Sequence, residues 1–95
     1  MDKIEAENLL NKSREKLDII DEKLISLIIE RTSLAGDIAN SKKVLKKDLS
    51  DPERENIIHE RISKLIEDKD VNKECVFEIF NILFAMSKEE QKKYL

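Results

Sequence analysis

Tryptophan is missing from this chain, and glycine, proline, cysteine and tyrosine each occur only once in its 95 residues. With 41% of the residues charged and so few backbone breakers, the composition describes helices with solvated outer faces. Strand signals are lacking too. The one β-branched cluster, Ile57-Ile58, continues at helical spacing to Ile62, Leu65 and Ile66. A lone Cys75 excludes an internal disulfide, and with no histidine spaced near it the residue reads as a small, half-buried thiol. No apolar run is long enough to span a bilayer, and the N-terminus lacks a leader pattern, so the expected location is the cytoplasm. Nor is there an excess of positive charge: the formal net charge of -3 argues against nucleic-acid binding, and any anion site has to be local.

What is present is helical periodicity, and residues 1–95 read as a single all-α domain of three helices. The first, very long, is expected from about Ile4 to about Leu45, with Gly36 the only weak helix former of note and placed on an outward face. The second starts at Asp51-Pro52-Glu53, an acid cap followed by proline at the first helical position, and runs to near Asp68. The third follows the candidate cap Asn72 through Val76, Ile79, Phe80, Leu83 and Phe84 to the C-terminus. A helix of ~40 residues is ~60 Å long. A compact chain of this size has a radius of gyration of only about 12 Å, so one copy cannot cover that helix on all its apolar sides. A homodimer with the long helices packed together is expected.

Polar residues interrupt the buried faces at four places. The apolar stripe Leu17, Ile20, Leu24, Leu27, Ile28, Leu34, Ala35, Ile38 is broken by Arg31, and Lys42, eleven residues on, returns to within about 20° of it on the helical wheel. A charge so placed needs a partner, because removing it from water unpaired costs several kcal/mol. Ser87 and Gln91 extend the line Val76, Phe80, Leu83 one turn apart. Asp51, Arg54 and Glu55 surround a helix start whose backbone N–H groups point outward. Arg14 faces the same way as Leu10 and Leu17.

Each residue has an ordinary reading. Arg31 could snorkel or pair with Glu55, Ser87 and Gln91 could make an interhelical hydrogen bond or belong to a frayed C-terminal turn, Asp51 could be a cap alone, and Arg14 could belong to a solvated face. His59 reads as a surface residue without metal-ligand spacing, and no metal is expected. Together, however, three cations, an amide, a hydroxyl and a helix N-terminus describe a pocket for a small dianion carrying a hydroxyl and an ether-type acceptor. No convincing nucleophile or His-centred acid–base pair is among them, so chemistry there would run on binding and electrostatics. Arg14 lies 17 residues from Arg31, ~25 Å along one straight helix, and could share a small ligand with it only across an antiparallel dimer.

In this order and spacing, Leu17-Asp18-Ile19-Ile20-Asp21-Glu22-Lys23-Leu24, Glu30-Arg31-x-x-Leu34-Ala35, Lys42, Asp51-Pro52-Glu53-Arg54-Glu55 and Ser87-x-x-x-Gln91 closely resemble the all-helical chorismate mutase family. The likeness covers about Leu9 to Leu95. It implies three helices per chain in an intertwined homodimeric bundle with two equivalent sites. The implied reaction is the unimolecular Claisen rearrangement of chorismate to prephenate, on the route to phenylalanine and tyrosine, with no cofactor, metal or covalent intermediate. By resemblance, Arg31 and the partner chain's Arg14 clamp the two substrate carboxylates, and Lys42 and Gln91 donate to the ether oxygen as its bond breaks. Glu55 and the backbone near Asp51 hold the ring hydroxyl, Ser87 assists a carboxylate, and Arg54 orders the pocket edge. Ile38, Ile58, Leu83 and Phe84 are candidates for its apolar wall. Two alternatives stay open at this point: an isochorismate pyruvate-lyase of the same fold, and a non-catalytic helical interaction module.

Overall fold

The computed structural model describes residues 1–95, and all of its regular structure is helical: α1 (Lys3–Ser33), α2 (Ala35–Leu45), α3 (Pro52–Ile66) and α4 (Lys73–Lys92). By internal packing the chain divides into two units, Met1–Glu30 and Arg31–Leu95.

The first unit is most of α1. Asp2 starts the helix, its Oδ1 accepting the Glu5 N–H at 2.8 Å. None of its residues is buried: Leu17, Ile20 and Leu24 keep 54%, 49% and 51% of their surface in this single chain.

In the second unit, the segment expected as one helix to Leu45 is interrupted at a single residue. Leu34 stays in the helical region (φ -80°, ψ -9°), but its N–H turns back to Arg31 O at 3.3 Å, a tightened turn, before Ile38 N–H resumes the ladder on Leu34 O at 3.1 Å. The weak helix formers Thr32, Ser33 and Gly36 flank that point. α2 ends at Lys46, the one non-glycine residue with positive φ (56°). There the cap N–H groups of Lys46 and Lys47 reach back to the carbonyls of Lys42 and Lys43.

The start of α3 is as read from the sequence. Asp51 Oδ1 accepts the Arg54 N–H at 3.1 Å and Pro52 occupies the first turn. Asn72 likewise caps α4 through the Cys75 N–H at 3.0 Å. α4 packs against both α2 and α3. Ala35 and Ala39, fully buried, let α2 approach closely, while Ile58 and Ile62 of α3 and Phe84 of α4 form a core bordered by Ile66, Val76, Phe77 and Phe80.

Three expectations are corrected here. Gly36 does not face outward: a Cβ built on it would meet the Tyr94 ring at 3.0 to 3.1 Å, so the glycine gives the C-terminal aromatic room against α2. Cys75 is exposed instead of half-buried, since it sits in the first turn of α4, ahead of the packed stripe. His59 is not a free surface residue: its ring packs against Phe77 and Phe84 at centroid distances of 5.5 and 5.4 Å, and its Nε2 is hydrogen-bonded with Asn81 Oδ1 at 3.0 Å.

Candidate active site

A cavity of about 480 Å³ opens between the last turn of α1, α2, the connector before α3, and the facing sides of α3 and α4. That volume suits a small organic molecule. Ile38, Ile58 and Phe84 supply apolar wall, and Arg31, Lys42, Arg54, Arg61 and Lys88 supply charge. Asp51 and Glu55 are the only acids on its lining, and both are engaged: Asp51 caps α3, and Glu55 pairs with Lys88 at 3.7 Å.

At one end, Lys42, Gln91 and Ser87 form a directed chain. Lys42 Nζ donates to Gln91 Oε1 at 2.9 Å and to Leu49 O at 2.8 Å, and Gln91 Nε2 donates to Ser87 Oγ at 2.9 Å. An ammonium group only donates, so it must face the amide oxygen. The amide nitrogen of Gln91 is thereby fixed on the opposite side, with one further N–H to offer. Gln91 is 4% exposed, which makes this satisfied arrangement a rigid one. Lys42 keeps one of its three protons for a ligand after serving Gln91 and Leu49.

At the other end, the Arg31 guanidinium lies over the Phe84 ring, 5.8 Å from its centroid, and donates to Leu83 O at 3.3 Å. Its pKa is lowered from the ordinary guanidinium value, first by burial and then by the positive charges of Arg54 and Arg61. The group stays cationic at any physiological pH. Its surroundings disfavour that charge, and an anion placed among the three guanidinium groups relieves the repulsion.

The expected Arg31–Glu55 pair is not formed; Glu55 takes Lys88 instead. Leu83 contributes a carbonyl to Arg31 and no lining to the cavity. The cavity brings together Arg31, Lys42, Asp51, Arg54, Glu55, Ser87 and Gln91. A profile of the chorismate mutase type II family matches residues 13–92, which include every one of these positions.

The chain belongs to the chorismate mutase type II family.

Among curated relatives, it is 44% identical over 86 residues to a chorismate mutase of Methanocaldococcus jannaschii, a match covering 90% of this chain and 87% of that protein. Bifunctional chorismate mutase/prephenate dehydratases of Buchnera aphidicola and Escherichia coli are 31% and 29% identical over 88 and 90 residues. Those matches cover 93% and 95% of this chain but only 24% and 23% of the longer proteins.

Within this family frame, Arg14 is exposed on α1 and is not among the residues lining the cavity. Three residues on the cavity wall escaped the sequence reading. Arg61 and Lys88 look like ordinary surface charges on amphipathic helices, and their faces are recognisable only once α3 and α4 are paired. The Leu49 carbonyl leaves no trace in side-chain pattern at all. For Arg61 a signal was available, because it lies two turns after Arg54 on the same face.

Proposed function

We propose that this chain is a chorismate mutase, converting chorismate to prephenate without cofactor or metal. The observation that carries the reading is the Lys42–Gln91 bond of 2.9 Å at the edge of a cavity whose other end is rich in guanidinium groups. That polarity matches the substrate: two carboxylates need cations, and an ether oxygen gaining negative charge needs aimed donors. Lys42 and Gln91, each with a proton to spare, are those donors. Arg31 holds one carboxylate, Ser87 assists a carboxylate from the Lys42–Gln91 end, Glu55 and the backbone at Asp51 hold the ring hydroxyl, and Arg54 orders the rim. Confinement holds the substrate in its compact reactive form, and no group acts as nucleophile or base.

The working unit is a homodimer in which the partner's Arg14 completes the carboxylate clamp. Support comes from α1, where 31 helical residues contain none that is buried in the single chain, and contiguous exposed apolar surface of that kind marks an interface. No helix is long and apolar enough to cross a membrane. The free, exposed Cys75 suits the reducing cytoplasm, where we place the enzyme.

Incubating the purified chain with chorismate and following prephenate formation tests the reading. Catalysed conversion that is unaffected by chelators is expected. Release of pyruvate from isochorismate with no action on chorismate would instead identify a lyase, and inertness toward both would leave the interaction module.

A further inference from the structure

We propose that Arg61 is a further substrate-binding residue, which takes one carboxylate of the dianionic substrate together with Arg31. The inference rests on the chorismate mutase reading and adds to it a cation that the sequence reading passed over.

Arg61 lines the same cavity as Arg31, and so do Arg54 and Ile58. On α3 these follow at steps of four and three, Arg54, Ile58, Arg61, and the middle residue is buried in the core, which aims both arginines to one side. A surface arginine on a helix ordinarily finds an acid three or four residues away, as Lys92 and Lys93 do with Glu89 and Glu90 at 2.7 and 2.8 Å. The corresponding neighbours of Arg61 are Ile57, Ile58, Lys64 and Leu65, so its own helix gives it no carboxylate.

The cavity offers none either. Asp51 is taken by the Arg54 N–H and Glu55 by Lys88. Arg61 does not occur in any of the ion pairs of the structure, and its charge bears on Arg31, which makes the empty space between them a region of like charge. Arg61 is exposed, so water serves its charge while the cavity is empty. What points to binding is its place: a cation on the cavity wall whose charge acts on Arg31, with a counter-charge left to be supplied.

The test is steady-state kinetics on the full chain with chorismate, and competitive inhibition by prephenate, for wild type, Arg61→Lys, Arg61→Gln and Arg61→Ala, with helicity followed by circular dichroism. Losing a charge-assisted hydrogen bond should raise both KM and the prephenate inhibition constant roughly tenfold in the Gln and Ala variants, with a smaller change in kcat. Arg61→Lys, which keeps the charge, should fall between these and wild type. Constants within twofold of wild type for Arg61→Ala overturn the proposal, as does a loss of kcat at unchanged KM. If an uncharged variant loses helicity, the Lys and Gln pair decides: equal KM values for the two defeat the assignment. A wild-type chain that leaves chorismate untouched defeats the chorismate mutase reading instead, and equilibrium dialysis of prephenate against wild type and Arg61→Ala still measures the arginine's part.

Discussion

Lys42 and Gln91 are 49 positions apart in sequence and joined by a hydrogen bond of 2.9 Å that orients both. The lysine fixes which end of the amide is nitrogen, and the amide in turn holds the ammonium at the cavity edge.

Because each donor is aimed by the other, removal of either should be severe. Lys42→Ala and Gln91→Ala are each expected to lower kcat by about two to three orders of magnitude, the range seen when one donor to a developing negative charge is deleted. Circular dichroism should show little loss of helix. Near-normal turnover in either variant would refute the assigned roles.

A shared clamp predicts complementation between subunits. Arg14→Ala and Arg31→Ala chains should each be poorly active alone. After mixing and reassociation, about half the dimers are hybrids with one intact site of two, so activity should return to about a quarter of wild type. No recovery in mixtures shown to have exchanged subunits would rule out a pocket built from both chains.

Gly36 and Tyr94 should be energetically coupled. In an unhindered helix, alanine for glycine stabilises by roughly 0.5–1 kcal/mol. Here the new Cβ would lie 3.0 Å from Tyr94 Cζ, and the ring must give way. Gly36→Ala is therefore expected to stabilise the protein more in a Tyr94→Ala background than in wild type. Urea midpoints for the four combinations read the coupling, and strictly additive shifts would mean that the ring contact carries no energy.

At Lys46 the left-handed backbone is adopted by a residue with a Cβ. Glycine there removes the steric penalty while loosening the unfolded chain, and a net gain of about 0.5–1 kcal/mol is expected. For a domain of this size that is a rise of several degrees in Tm, measurable by thermal melting. An unchanged or lower Tm would show that the cap is unstrained.

The sequence made the helix boundaries and most of the site legible where the signal was local. Asp51 and Asn72 were recognisable as caps because capping depends on residues within three positions of each other. Arg31, Lys42, Ser87 and Gln91 stood out because they break an apolar stripe, and periodicity alone exposes such breaks. The illegible parts depend on what a residue meets across helices. Gly36 reads as tolerated on an outer face until Tyr94 is packed over it. His59 reads as polar surface until Phe77 and Phe84 pack against it, and Glu55 reads as the partner of Arg31 until α4 brings Lys88 beside it. The tightening at Leu34 follows from several weak preferences, none decisive in the pattern.

The bond from Lys42 to the Leu49 carbonyl, 2.8 Å long, anchors the α2–α3 connector from the inside. Surface connectors are the usual places to graft a tag or open new chain ends, but lengthening this one would unhook the very ammonium group on which turnover is proposed to depend. Protein engineers seeking a permissive point for circular permutation should look instead to the stretch around residues 67–71, which contributes nothing to the lining of the cavity.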